Sequence, residues 1–538
     1  MTPASPWTAL RYDVFRYLWL ATVVSNVGSW MFNAASGWLM TSLDGSPLTV
    51  ALVQVASSLP LFLFALPAGA LADMIDKRPL ILTLEVLTTL FSAVFALLVS
   101  LHLVTPASLL LFLLLVGTLG ALETPAWQAI VPLLVGRQAL SSAVAINSVG
   151  VNISRVLGPA LTGVLILGGG IAAPFWLDAV SNLGVIGVIF WWRPPVRAPR
   201  VLPAEPWAGA MRIGLRYVRN SPPLRATLAR SVGFFLFASA YWALLPLVVR
   251  NQLQGGPTLY GNLLGAIGAG AIGGAFVLPK VRRAVGADGV VICGELGSAI
   301  ALILFGLAQQ VWLAVLACLL AGVSWIAVLA SLNVSAQVAL PEWVRARGLA
   351  VYVMVFFGTM TAGSALWGLV AARFDLMAAH CAAGVGALAA LWLTRRWKLR
   401  TGPEADLTPS MHWPEPVLAG GVGANAGPVL VTVEYRIASE NRSAAFAALA
   451  HIERERKRDG AYSWNLFQDA AHPERIHEAF LVDSWVEHLH QHRRVTNADR
   501  VVEEQLRHLL REEPRVTHYI AAAASVDSAQ TPTGRPAR

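Results

Sequence analysis

The sequence predicts an all-α polytopic membrane protein with twelve transmembrane helices in two six-helix halves, followed by a soluble α+β domain of ferredoxin-like order. Three observations carry this expectation. The 538 residues are 56% hydrophobic and only 13% charged, with mean hydropathy +0.59, whereas soluble domains carry about a quarter charged residues. Apolar runs long enough to cross a bilayer, about 20 residues, recur twelve times before residue 400. After Arg400 they stop, and short alternating segments replace them.

The runs fall near 16–41, 48–72, 80–102, 107–131, 139–167, 172–192, 228–250, 259–279, 290–308, 311–338, 349–372 and 377–395. Several junctions are very short (Asp44-Gly45-Ser46-Pro47, Thr105-Pro106, Gly168-Gly169-Gly170), as antiparallel neighbouring helices require. The net charge of +9 is unevenly spread: residues 1–400 hold 25 Lys+Arg against 12 Asp+Glu, and the remainder holds 15 against 19. The basic excess therefore belongs to the membrane part and points to the lipid bilayer, not to nucleic acid. One set of alternate loops, with both ends of the membrane part, carries 22 Lys+Arg; the opposite set carries two, Arg250 and Arg373. The positive-inside rule then places both termini in the cytoplasm. No cleavable signal peptide is expected, because the apolar run from Phe15 to Met40 is too long for one. Cys293, Cys318 and Cys381 all lie in apolar runs, so neither a disulfide framework nor a metal cluster is indicated, and no cofactor is expected.

The two halves are expected over 1–192 and 228–400, joined by a cytoplasmic loop, 193–227, whose Trp207–Val218 stretch is basic and amphipathic and suits the inner leaflet. A faint repeat relates them. Gly69–Arg78 aligns with Gly274–Arg283 at an offset of 205, Gln128–Pro132 with Gln337–Pro341 at 209, and Glu85 with Glu295 at 210. Parallel halves of this kind suit a rocking carrier that binds a small-molecule substrate at the midplane.

The loop between the second and third runs reads Gly69-Ala-Leu-Ala-Asp73-Met-Ile-Asp76-Lys77-Arg78. It resembles the G-x-L-x-D-x-x-x-R/K-R/K signature of major facilitator superfamily transporters. That resemblance implies a conformational gate formed by Gly69, Asp73, Lys77 and Arg78, whose charges contact neighbouring helix ends. Asp76 stands where the pattern has a small residue, and Leu278 replaces the acid in the second copy.

In the fifth run Ser148, Asn152, Arg155 and Pro159 share one helical face. A cation deep in a membrane is costly, so Arg155 is expected to face a cavity or a paired acid. The series Gly150…Gly158-Pro159…Gly163 resembles the Gly-Pro fifth-helix motif of exporters in the superfamily, while its glycines also suit plain helix packing. The first run carries Thr22, Asn26, Ser29 and Asn33 on one face, with Trp30 beside them. This stripe either bonds neighbouring helices or lines the substrate cavity, and the second is the expectation. Proton coupling needs an intramembrane acid, and Glu123 and Asp178 are the candidates. Glu85 and Glu295 lie just after basic loops, where the helix dipole and nearby cations stabilise them.

Residues 401–428, rich in Pro and Gly, read as a linker. Beyond it, 429–525 shows the order β-α-β-β-α-β of the ferredoxin-like fold, and 526–538 reads as a disordered tail. The domain resembles dimeric α/β-barrel domains, which implies a homodimer through it. His488, His490 and His492 are expected on a polar helix surface, not in a metal site. Asn26–Trp30, Glu123–Gln128, Arg155–Pro159, Leu215–Arg219 and Pro341–Arg345 resemble the enterobactin-exporter-like branch, and Trp485–Thr496 resembles its longer members, the transmembrane secretion effectors. The resemblance implies proton-driven efflux of a siderophore, drug or other amphiphile across a bacterial inner membrane. A membrane-tethered enzyme with a monooxygenase-like tail, and an uptake carrier of the same fold, are the alternatives.

Overall fold

The computed structural model describes residues 6–136, 139–193, 207–399, 406–414 and 426–521. The expected disordered tail, 526–538, lies outside the described residues, as do most of 401–428 and the side chain of Asp73. The chain forms two compact units. The first contains α1 (Asp13–Leu43), α2 (Pro47–Met74), α3 (Lys77–Ser100), α4 (Pro106–Leu134), α5 (Leu140–Gly169) and α6 (Ala173–Trp191), followed by α7 (Trp207–Asn220), which its last turn leaves. It continues with α8 (Pro222–Leu247), α9 (Pro257–Leu307), α10 (Val311–Val338), α11 (Arg345–Arg373) and α12 (Leu376–Thr394).

Ten helices among the described residues are long and apolar enough to span a membrane. One of them, α9, runs for 51 residues but breaks at Gly286, whose φ of 71° is non-helical. Glycine adopts that left-handed conformation without steric cost, so α9 supplies two spans. The 31-residue α1 is less apolar because of its polar stripe, yet at about 1.5 Å per residue it is long enough to cross. Twelve spans result, as the sequence predicts.

The short junctions are written in capping residues. Ser46 accepts from the Thr49 amide with Pro47 opening α2, and Asp375 accepts from Ala378 at the start of α12. Thr105 and Ser108 form a reciprocal capping box around Pro106. Each cap satisfies amide donors that helix geometry leaves open, and proline lacks one such donor anyway. Between α9 and α10 the glycines bring backbones together: a Cβ on Gly322 would sit 1.9 Å from the Ile267 carbonyl oxygen, and one on Gly270 2.2 Å from that of Leu319. Those positions exclude any side chain.

The halves meet through α2 against α11 and α5 against α9. Ser58 and Thr361 share a hydrogen bond of 2.8 Å, and Gly261 lies against the Pro159 carbonyl. At the face bearing residues 44–46 and 253–256, the Arg250 guanidinium donates to Thr41 and Ser42, and Trp38 stacks on Tyr260. We call this the far face; the near face carries residues 75–76 and both ends of the bundle.

Inside the second half Arg230 of α8 is 0% exposed. It donates to Asp288 at 3.0 Å, just past the break in α9, to Glu295 at 3.2 Å, and to the Trp397 carbonyl. The break also revises the internal repeat. The turn at Ile75 and Asp76 corresponds to Gly286, an offset of about 210, the same that relates Glu85 to Glu295. Structurally Arg78 therefore corresponds to Asp288, not to Arg283, because 274–283 is still helical.

The second unit holds β1 (Val429–Arg436), α13 (Arg442–Asp459), β2 (Ser463–Gln468), β3 (Arg475–Val482), α14 (Trp485–Arg494), α15 (Asn497–Arg507) and β4 (Arg515–Ile520). Its antiparallel sheet has the order β2-β3-β1-β4, which is ferredoxin-like. Alternate burial along β1 and β3 sets Val431, Val433, Ile476 and Phe480 into one core. The predicted helical region 484–511 divides at Val495-Thr496, where Thr496 and Asp499 form a capping box. Residues 406–414 lie on α15, with Ser410 donating its amide to the Val495 carbonyl and the Trp413 indole bonding Glu503.

Two segments from elsewhere in the chain, Arg216–Ser221 and Pro341–Trp343, belong to this unit. Arg216 donates to Glu487 and to the Gly460 carbonyl, and Trp343 lies beneath the Arg494 guanidinium. The last turn of α7 is thus covered by protein, with Tyr217 buried, where an inner-leaflet surface is predicted.

The histidines also depart from expectation. His488 is 1% exposed, not on a polar surface, and contacts the rings of Trp485, His492 and His518. Its side chain turns inward because α14 lies across the sheet with Trp485, His488 and Gln491 on its buried side. Burial lowers His488 to about 3 and His492 to about 4.

Two predictions follow from these buried charges. Arg230→Ala leaves Asp288 and Glu295 without their cation and is expected to cost about 3–5 kcal/mol. Thermal unfolding of purified protein checks this, and the triple change Arg230→Met, Asp288→Asn, Glu295→Gln should recover most of the loss. The depressed histidines stay neutral when folded but gain protons when unfolded below about pH 6.5. Their stabilisation is complete above that pH and is lost as pH falls toward 4 and 3. Glu455, which burial pushes up to about 7, acts oppositely over part of this window, but the two histidines outweigh it. The urea midpoint of the tail, followed by limited proteolysis of the full-length protein, should fall from pH 7 to pH 4.5. His488→Leu should flatten that fall.

Candidate functional site

The polar stripe of α5 is defined by what its other faces touch. Ser154 donates to the Val23 carbonyl, and Gly158 presses on Trp30, so one face packs on α1. Val156, Pro159 and Gly163 meet α9. Ile153, Leu157, Leu161 and Val164 form an exposed apolar stripe suited to lipid. Ser148 and Asn152 are exposed on the remaining side, with Arg155 half-buried beside them.

On α1, Ser29 and Asn33 are exposed, while Asn26 and Trp30 are half-buried. Ser57 of α2 donates to Asn33, and Asn33 and Asn152 each donate to a carbonyl one turn back in their own helix. The two stripes meet at one point, where the Arg155 guanidinium lies over the Trp30 ring, 5.5 Å from its centroid. Among the described residues no acid pairs with Arg155, so the paired-acid alternative is not what the structure shows.

The acids divide by partner. Asp178 of α6 is buried and accepts from Ser92 of α3 at 2.7 Å and from Ser29 of α1 at 3.3 Å. One turn on, Asn182 accepts from Ser25. The Glu123 carboxyl of α4 neighbours the buried Glu85 carboxyl of α3. The basic loop before α3 does not neutralise Glu85; a second acid faces it. The corresponding Glu295 is instead paired with Arg230.

At the gate loop, Arg78 donates to the Ile189 and Phe190 carbonyls at the end of α6. These are open acceptors of a helix terminus, the natural partners of a cation. Lys77 is buried, and Gly69 has room for a side chain. The structure therefore gathers Asn26, Ser29, Trp30, Asn33, Ser148, Asn152 and Arg155 along α1 and α5, and gives Glu123 and Asp178 different partners, Glu85 for the first and Ser92 and Ser29 for the second. Sequence reading missed Arg230 and the Glu85–Glu123 contact. Arg230 stands at the end of a run of loop cations and reads as one more of them; only a count of helix turns into α8 could have found it. Among the described residues no group of three or more His, Cys, Asp and Glu is arranged to hold a metal ion.

A family profile described as transmembrane secretion effector matches residues 4–526. The enterobactin exporter EntS of Escherichia coli O1:K1 / APEC is 27% identical over 381 residues, 70% of this chain and 90% of that protein. The staphyloferrin A transporter of Staphylococcus aureus (strain NCTC 8325 / PS 47) is 24% identical over 279 residues, 50% of this chain and 68% of that one. Among solved structures, a POT family transporter in complex with a thioalcohol conjugated peptide superposes with a TM-score of 0.58 at 12% identity, covering 70% of this chain and 94% of its own. An inward-facing bacterial homolog of the human lysosomal transporter Spinster gives 0.52 at 16%, covering 72% and 95%. Twelve spans in two halves, a charged loop between α2 and α3 and a match over nearly the whole length lead to one assignment: the chain belongs to the transmembrane secretion effector family of major facilitator transporters, multi-pass secondary carriers of small molecules across a lipid membrane.

Proposed function

We propose that this carrier exports a small amphiphilic molecule of the siderophore, drug or metabolite class from a bacterial cytoplasm, driven by inward proton flow, with both termini cytoplasmic. One observation carries the reading. The contacts between halves at Arg250, Trp38 and Tyr260 close the far face, while the polar stripes of α1 and α5 stay exposed. A carrier loading from the cytoplasm rests in this arrangement, with the near face inward. The exporters named among its relatives support the direction of transport. Asn26, Ser29, Trp30, Asn33, Ser148, Asn152 and Arg155 line the substrate cavity in this reading.

Glu85 and Glu123 form the proton site, because a shared proton between two acids is released when helix movement separates them. Asp178, already satisfied by two serines, holds α6 to α1 and α3. Gly69, Asp73, Lys77 and Arg78 act as the gate: Arg78 ties the start of α3 to the end of α6 within the first half, so rocking moves that end as one piece.

Two predictions rest on this reading, both measured in proteoliposomes with an imposed pH gradient. Glu123→Gln and Glu85→Gln are each expected to remove the dependence of transport on the gradient while substrate exchange without a gradient persists. Full gradient dependence in both variants would sink the assignment. Asp73→Asn and Arg78→Ala are expected to slow transport at least about tenfold, equivalent to ~1.4 kcal/mol, at unchanged membrane abundance. Wild-type rates in both would remove the gating role.

A further inference from the structure

The structure contains two arginines well inside the membrane part, and they are treated differently. Arg230 shows how a structural cation is accommodated here: two carboxylates and a carbonyl surround it. Arg155 has neither ion pair nor hydrogen bond among the described residues, and the aromatic ring it meets is that of Trp30. It lies 15 residues into the 30-residue α5. At about 1.5 Å per residue that is roughly 22 Å from either end, beyond the reach of a side chain toward lipid headgroups. An intramembrane cation faces a cavity, an acid or a ligand. Here the acid is absent among the described residues, and the exposed polar neighbours mark a cavity in which the unpaired cation is open to a ligand.

The geometry also says how such a ligand binds. A guanidinium has two faces and an edge of five N–H donors. Trp30 lies 5.5 Å from the guanidinium carbon and takes none of its N–H donors, which can meet an oxyanion in bidentate fashion. The indole next to it offers a flat apolar surface. We propose that the transported molecule is an organic anion, its carboxylate or similar oxyanion bound by Arg155 at the midplane and a planar unsaturated portion lying against Trp30.

This rests on the carrier reading with α1 and α5 lining the cavity, and the test separates the two. Full-length protein is titrated with three probes that share one ring system: 2-naphthalenesulfonate, uncharged 2-naphthalenesulfonamide and 2-naphthyltrimethylammonium, followed by thermal shift and tryptophan fluorescence. Wild-type protein is expected to bind the sulfonate in preference to the other two. Arg155→Gln should weaken sulfonate binding about ten- to a hundredfold, as loss of hydrogen bonds to a charged group does, and leave the sulfonamide unchanged. Arg155→Lys should recover part of the preference, which a merely structural role would not produce. Equal binding of anion and neutral probe, preference for the cation, or unchanged sulfonate binding in Arg155→Gln would each overturn the proposal. Accumulation of the sulfonate in proteoliposomes is measured in parallel. If the protein carries the cation or the neutral probe instead, only the anion assignment falls; if it carries none of the three, both fall.

Discussion

Hydrocarbon offers no water to a charge, and the whole membrane unit is arranged around that constraint. Backbone groups are satisfied by helices and by caps such as Ser46 and Thr105, placed where the chain must turn. Side-chain charges are harder to accommodate. Asp178 is held by two hydroxyls, Arg230 by two carboxylates, and Arg78 by the open carbonyls of α6. Each solution also fastens one helix to another, so the cost of inserting the charge is offset by a defined packing. Among the described residues the Glu85–Glu123 pair and Arg155 lack such partners, and both proposed transport roles fall there.

The internal repeat sharpens this contrast. Glu85 and Glu295 occupy corresponding places in the two halves, yet one faces an acid and the other an arginine. Duplication supplies the same carboxyl twice, and the neighbours decide what it does. Beside Arg230 it joins an ion pair that ties α8 to α9 next to the break. Beside Glu123 it faces a second acid, the pair to which the proposed proton site is assigned. The first half carries both unusual sites, with Arg155 also among its helices, while the second half holds the buried ion pairs of Arg230 with Asp288 and Glu295.

Much of the fold was legible because the membrane imposes simple periodicities. Run length gave the spans, and Ser-Pro and Thr-Pro junctions gave the turns. The β-α-β-β-α-β order of the tail followed from alternation alone. What was not legible depends on the third dimension. The repeat was aligned on matching letters at offset 205, but the break at Gly286 fixes the true correspondence near 210. His488 looked like part of a polar run because every second or fourth residue was histidine; that α14 turns this face onto the sheet is a tertiary fact. In the candidate site, helical spacing revealed the stripes of α1 and α5. It could not reveal that Arg155 meets Trp30, that Asp178 is already satisfied, or that Glu85 faces Glu123.

The inclusion of Arg216–Ser221 and Pro341–Trp343 in the C-terminal unit has a consequence for biosynthesis. Arg216 and its partner Glu487 are 271 residues apart in sequence. At about 5–20 residues per second, the ribosome delivers the second roughly 14–54 s after the first. During that interval Arg216 and Tyr217, joined partway by Trp343, lack the surfaces that later cover them. The final residues to emerge therefore complete a structure begun before the seventh span was made. Until then Arg216 has neither the Glu487 carboxylate nor the Gly460 carbonyl as a partner.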